Sequence, residues 1–213
     1  GDNVSRVGNE DDGYDNMTAG ININYAATSE HTLIANLRTV QYENDYDGTD
    51  FVTTGLPADS NNVTDGSQLS AKLRWEFAPE NTGYRAALSA HYRKDESDNT
   101  ESGADTGGTT GERIELNWTA FYTIDNWDFA GGVEYLQRLF NQRGPIAFGD
   151  PNQKQHDNTY SVFAETNGQL TESLTATLSA RFDNNSEFDN AVSYRGGLTW
   201  QLNDYYAVFT SYG

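Results

Sequence analysis

The chain has 213 residues, a length suited to one domain or a large piece of one. Its 13 Lys and Arg face 32 Asp and Glu, a formal charge of −19, so it lacks the basic patch that a nucleic-acid partner requires. It has no cysteine, which removes disulfide frameworks and thiolate metal sites. Such acidity often marks disorder, but 13 Tyr, 10 Phe and 4 Trp are too many for that reading and predict an ordered chain. No apolar run approaches the ~20 residues of a membrane-spanning helix. No signal-peptide pattern opens the chain, as expected of a mature, processed or excerpted sequence.

In chain order, the dominant signal is alternation with period two. A first strand is expected over about Asn16–Ala27, ending in a turn at Thr28–His31. After a polar stretch, Leu69, Ala71, Leu73, Trp75 and Phe77 alternate with Gln68, Ser70, Lys72, Arg74 and Glu76, so one face is apolar and the other charged. Beyond a turn at Ala78–Gly83, Tyr84, Ala86, Leu88, Ala90 and Tyr92 alternate with Arg85, Ala87, Ser89, His91 and Arg93. Ile114, Leu116, Trp118, Ala120 and Tyr122 form the next apolar face and lead into a tight turn at Asp125–Asn126. Tyr160, Val162, Ala164 and Thr166 follow. Leu174, Ala176, Leu178, Ala180 and Phe182 come after the turn at Thr171–Ser173. Val192, Tyr194, Gly196, Leu198, Trp200 and Leu202 complete the set before a turn at Asn203–Asp204 and a last strand at about Tyr205–Tyr212.

About ten strands of roughly 9–11 residues result, the length of a tilted strand crossing a bilayer. Aromatics at strand ends, among them Trp75, Phe77, Tyr84, Tyr92, Trp127 and Trp200, fit interfacial girdles. Short turns alternate with longer polar stretches at Glu43–Gly66, Lys94–Gly111 and Gln137–Asp157, with a shorter one at Asp183–Asn190. That asymmetry is expected of an all-β, up-and-down, antiparallel outer-membrane barrel and places the long connections outside the cell. A soluble β-sandwich also alternates, but without such regular loop asymmetry. Ten strands can close alone, yet the chain ends on a strand running outward, so the expectation is an arc of a larger barrel, with residues 1–213 all barrel wall.

The last third carries a resemblance. Asn158-Thr-Tyr-Ser-Val-Phe-Ala-Glu-Thr-Asn-Gly-Gln-Leu170 and Leu174-Thr-Ala-Thr-Leu-Ser-Ala-Arg-Phe-Asp183 are followed by Ser193-Tyr-Arg-Gly-Gly-Leu-Thr-Trp200 and Tyr206-Ala-Val-Phe-Thr-Ser-Tyr-Gly213. This ordered set resembles the barrel of TonB-dependent receptors. Asp12-Gly13-Tyr14 and the stretch Asp183–Phe188 resemble the cobalamin (vitamin B12) receptors within that family. The resemblance implies a barrel of about 22 strands around a plug. It also implies a Gram-negative outer membrane with its lipid and lipopolysaccharide, and import of a scarce small-molecule nutrient such as cobalamin or a siderophore-type ligand. TonB would engage through a plug region, with its TonB box, that this chain does not contain.

Candidate site residues lie in the polar stretches. Glu10, Asp11, Asp12 and Asp15 precede the first strand, and Glu43, Asp45, Asp47 and Asp50 fall in the first long connection. Carboxylates at alternate positions near a glycine can wrap Ca²⁺, which wants six to eight oxygens, and the cobalamin-receptor resemblance implies calcium-ordered outer loops. The strict EF-hand pattern is absent, and the same residues read more simply as a solvated acidic loop. No cofactor is required. Tyr46, Phe51, Phe140 and Phe148 are candidates to touch a flat apolar ligand or to pack the loops. His31, in a turn, His91, on the polar face, and His156, in an outer loop, are too dispersed to form a metal or catalytic centre. No nucleophile elbow or Ser/His/Asp signature is present, and no catalytic residue is assigned. Three readings remain: an import receptor, a diffusion porin, and a ten-stranded surface protease using Asp11 or Asp12 with His156.

Overall fold

A computed structural model describes residues 12–50, 52–147 and 149–213. Ten strands follow one another in it: β1 (Tyr14–Ala26), β2 (His31–Thr49), β3 (Pro57–Phe77), β4 (Tyr84–Glu101), β5 (Ala104–Ile124), β6 (Trp127–Arg143), β7 (Gln153–Thr171), β8 (Leu174–Asn185), β9 (Ala191–Gln201) and β10 (Ala207–Tyr212). All lie in one antiparallel sheet whose spatial order is the chain order, and β1 and β10 are its two edges. This is the up-and-down arrangement expected, with every hairpin joining neighbours. A sandwich is excluded, because a second sheet would be needed to cover the first.

The register shows why alternation was so clear. Leu88, Trp118, Val133, Val162, Phe182 and Val192 occupy successive strands of one cross-strand row. Ala86, Ala120, Gly131, Ala164 and Ala180 form the row beside it. Ile21, Leu37, Ala71, Tyr92 and Ile114 form another toward β1. Large side chains on this face stand open, with Leu73 55% and Val133 50% exposed. Buried apolar residues are few and small: Val40, Ala86, Ala87 and Ala176. A single sheet with one uncovered apolar face lacks a water-excluding core of its own, and a hydrocarbon layer would supply the missing second layer.

At the turn end of the sheet the aromatic rings cluster. His31 stacks on Phe77 (4.8 Å between centroids) and Trp75 (5.6 Å), and the Trp75 indole N–H donates to His31 Nδ1 at 3.1 Å. Trp127 stacks beside Phe129 and lies over Gly168, where a Cβ would collide with the indole. Tyr42 covers Gly66 in the same way on the opposite face, and aromatic-over-glycine pairs of this kind pin register.

The strands are longer than expected. In place of 9–11 residues, β3 and β5 have 21 each and β2 and β7 have 19. Much of the three polar stretches expected as loops is paired strand, and the free connections shrink to residues 50–56, 102–103 and 144–152. Backbone pairing does not depend on side-chain polarity, so Asn44↔Thr64 and Tyr46↔Asn62 continue the ladder through sequence that reads as loop by composition. Ser102 (φ 50°) and Gly103 (φ 80°) reverse the chain in two residues, a tight turn whose positive φ values match strand twist. The asymmetry between the two ends therefore survives in another form. From Leu69, where the unbroken apolar alternation ends, β3 continues 12 residues to Pro57, roughly 40 Å along a strand rising about 3.3 Å per residue.

Candidate functional site: the polar face of the wall

Opposite the apolar face lies the polar one, which a closed barrel turns inward. Its middle is a connected hydrogen-bond network. Arg181 reaches Glu134 at 2.6 Å and Asp183 at 2.9 Å, and donates to Ser161 Oγ at 2.9 Å. Ser161, itself buried, donates to Asp183 at 2.5 Å, and the Asn117 amide donates to the other oxygen of Glu134 at 2.9 Å. Four strands, β5 to β8, are thus stitched by side chains as well as by their ladders. Toward the turn end, the Arg85 guanidinium sits 5.2 Å over the Phe121 ring.

Just above the network runs a row that composition hides. Arg38, Ser70, Arg93, Arg113, Arg138 and Asp157 are register partners across β2 to β7. Four of its six positions are arginine, in a chain carrying −19. Arg93 is held by Asp95 through Nε (2.7 Å) and a terminal nitrogen (2.8 Å), Arg113 by Glu115, and Arg138 by Asp157 in a two-pronged pair (3.0 and 2.7 Å). Their side chains are nevertheless about half exposed, at 50%, 49% and 50%. Arg38 is exposed and has no hydrogen-bond or ion-pair partner among the described residues.

Beyond this row the charge divides by face. On the polar face come Tyr42, Asn44, Asn62, Thr64, Gln68 and Asn99, largely neutral, with Thr64 donating to Asn99 at 2.7 Å. On the other face, Asp15, Glu43, Asp65 and Asp98 are register partners across β1 to β4. They line an outward trough of about 660 Å³ together with Glu96. The Asp65 carboxylate beside Glu43 holds its pKa above the ordinary value, with desolvation and Asp45 adding to the effect.

The structure places the expected metal residues partly on a strand and partly in the connection that follows it. Glu43, Asp45 and Asp47 lie on β2, not in a loop, because the ladder continues through them. Glu43 faces Asp65, and an Asp45 oxygen accepts from the Gly13 amide at 3.3 Å. Asp50 does open a connection, but its carboxylate accepts from the Val52 and Thr53 amides and the Thr54 hydroxyl, which lowers its pKa. Desolvation first, then the Asp47, Asp45 and Asp59 carboxylates, raise that of Asp12. Among the described residues, no three His, Asp or Glu side chains converge to hold one ion.

The candidate ligand contacts divide similarly. Tyr46 is on β2 opposite Asn62, and Phe140 is on β6 opposite Gly111 and Gln155, with three strands between them. Both belong to strands rather than to loops. Phe51 and Phe148 lie outside the described residues, as do Glu10 and Asp11. His156 is in β7 at 3.0 Å from the Gln137 amide nitrogen, and five strands separate it from β1, which Asp12 precedes. His91, on β4, meets Ser70 at 3.0 Å, and His31, His91 and His156 lie on β2, β4 and β7. The arginine row was missed because each arginine looks ordinary within its own strand. Only the pairing across five hairpin partners assembles it.

The pattern of the family described as TonB dependent receptor-like, beta-barrel, matches residues 1–213. No curated protein matches in sequence. Among solved structures, the siderophore receptor PirA from Acinetobacter baumannii superposes with a TM-score of 0.72 at 18% identity, over 94% of this chain and 33% of that one. The ferric-catecholate import receptor Fiu from E. coli K12 gives 0.71 at 11% identity, over 94% and 47%. The copper transporter OprC gives 0.59 at 12% identity, over 93% and 35%. The chain thus spans between a third and a half of the length of these structures, and at such identities they speak to fold alone. The family match covers every residue, and the chain belongs to the TonB-dependent receptor β-barrel family.

Proposed function

We propose that this wall forms part of an outer-membrane receptor that imports a scarce nutrient, the ligand descending along the polar face while TonB supplies energy through a plug. The observation that carries the reading is the division of the sheet. An uncovered apolar face suits lipid, and a hydrogen-bonded polar face bearing arginines suits a solute path within the same ten strands. Acidic residues outside the apolar band, such as Glu43 and Asp65, would sit among lipopolysaccharide and its counter-ions. A siderophore-type cargo is supported by the solved receptors with the same fold, whose names include a siderophore receptor, a ferric-catecholate import receptor and a ferric citrate transporter. Cobalamin is supported by the sequence resemblance around Asp12–Tyr14 and Asp183–Phe188.

The test is uptake by cells expressing the whole receptor, with and without TonB, given labelled ferric catecholate, ferric citrate or cobalamin. Import of one of these that vanishes without TonB supports the proposal. A steady ion conductance in planar bilayers with no TonB-dependent uptake would instead make the wall that of a porin.

A further inference from the structure

We infer that the row Arg38–Ser70–Arg93–Arg113–Arg138 is a binding track for a polyanionic solute, one carrying carboxylate or phosphate groups. The inference rests on the import reading and names the class of cargo. Arg93, Arg113 and Arg138 lie directly opposite one another on consecutive strands. Adjacent strands are about 4.8 Å apart, so Arg38 to Arg138 spans roughly 19 Å. Like charges placed directly opposite destabilise a sheet, and a fold has no structural use for three in succession. The wall relieves only part of that repulsion, through Asp95, Glu115 and Asp157.

Those carboxylates also aim the guanidiniums. Asp95 engages Nε and one terminal nitrogen of Arg93, and Asp157 does the same for Arg138. Each fork keeps a free terminal nitrogen, which leaves N–H donors for an incoming oxyanion. Arg38, with no partner among the described residues, extends the donor line to β2, and Ser70 between it and Arg93 is held by His91 at 3.0 Å. Above it the neutral amides and hydroxyls of Asn44, Thr64, Gln68 and Asn99 share the face with Asp95, which is paired to Arg93, and with Glu101 near the tip, while the acidic row Asp15–Glu43–Asp65–Asp98 faces the other way. Planar bidentate donors in a line recognise several oxyanion groups of one solute better than one point charge does.

The probes are citrate and pyrophosphate, titrated calorimetrically into the whole detergent-solubilised receptor, with maltotriose as an uncharged control. Saturable binding of either anion is expected, weakening with salt. Affinity should fall about tenfold or more in Arg113→Gln or Arg138→Gln, and partly in Arg138→Lys, which keeps charge but loses the fork. Asp15→Asn, on the other face, should leave it unchanged. Unaltered band shift on heating and unaltered far-UV dichroism would show that the variants fold. Binding of neither anion at millimolar concentration, or equal affinity in folded Arg113→Gln, overturns the inference. Anion binding that survives in a receptor with no TonB-dependent uptake would leave the track standing and defeat the import reading.

Discussion

Placing one arginine on each face of β6, three positions apart, tests the reading of the two faces. Val133 lies mid-row between Trp118 and Val162, 50% exposed on the apolar face. Leu136 is as apolar, but its register partners are Glu115 and Thr159, so it belongs to the polar face. Val133→Arg brings a guanidinium to the middle of the apolar band, where about 2–4 kcal/mol is lost on the lipid face of a barrel. At ~1.4 kcal/mol per factor of ten, that lowers the folding equilibrium roughly 30- to 1,000-fold. Leu136→Arg puts the same group beside Glu115 in water and should change stability by no more than about 1 kcal/mol. Both variants of the whole receptor would be folded into phosphatidylcholine vesicles and unfolded with guanidinium, following tryptophan fluorescence. Equal losses, or a larger loss for Leu136→Arg, would refute the assignment of faces and with it the membrane placement of the sheet.

Arg181→Ala should cost about 1–2 kcal/mol, since Glu134 and Asp183 lose their shared partner in a partly hydrated network; a double-mutant cycle with Asp183→Asn should show coupling between the two. Glu43→Gln should stabilise the receptor at pH 7. The folded pKa of Glu43 is raised by Asp65, so its charged form opposes folding as pH rises above the ordinary value of 4.5, and the gain should vanish below that pH in parallel melts of the two proteins. A less stable Glu43→Gln at pH 7 would contradict the carboxylate row. Gly83→Ala, at φ +64° with the Thr123 carbonyl oxygen where a Cβ would sit, should cost at least about 1–2 kcal/mol and show in the same guanidinium titration, whereas Gly103→Ala, at φ +80° in open space, should cost less.

Strand existence, order and facing were legible because the apolar half of each strand, such as Leu69 to Phe77, alternates without interruption and the turns between them are short and polar, three of them (78–83, 125–126 and 203–204) carrying Gly, Asn or Asp. Strand length was not, because the signal that ends a membrane crossing is not the signal that ends a strand. At Gly66 or Gly111 alternation with apolar residues stops, yet the backbone has every reason to continue pairing. Continued pairing moves Glu43, Asp45, Asp47, Tyr46, Phe140 and His156 from loops into strands. Arginines were visible one at a time; their alignment depends on hairpin register, which the two-residue turn at Ser102–Gly103 sets for Arg93 and Arg113. Ser102–Gly103 was the available clue, lying unremarked inside a stretch read as a long connection.

On the import reading, those extended strands have a consequence for how quickly cargo is captured. A vestibule made of floppy loops must spend conformational entropy each time it closes on cargo, and capture waits on that closure. Here the β4–β5 hairpin is laddered to within two residues of its tip, so its ordering cost was met when the protein folded. This hairpin stands ready-formed, and on the import reading capture of a dilute solute along it would be limited by diffusion.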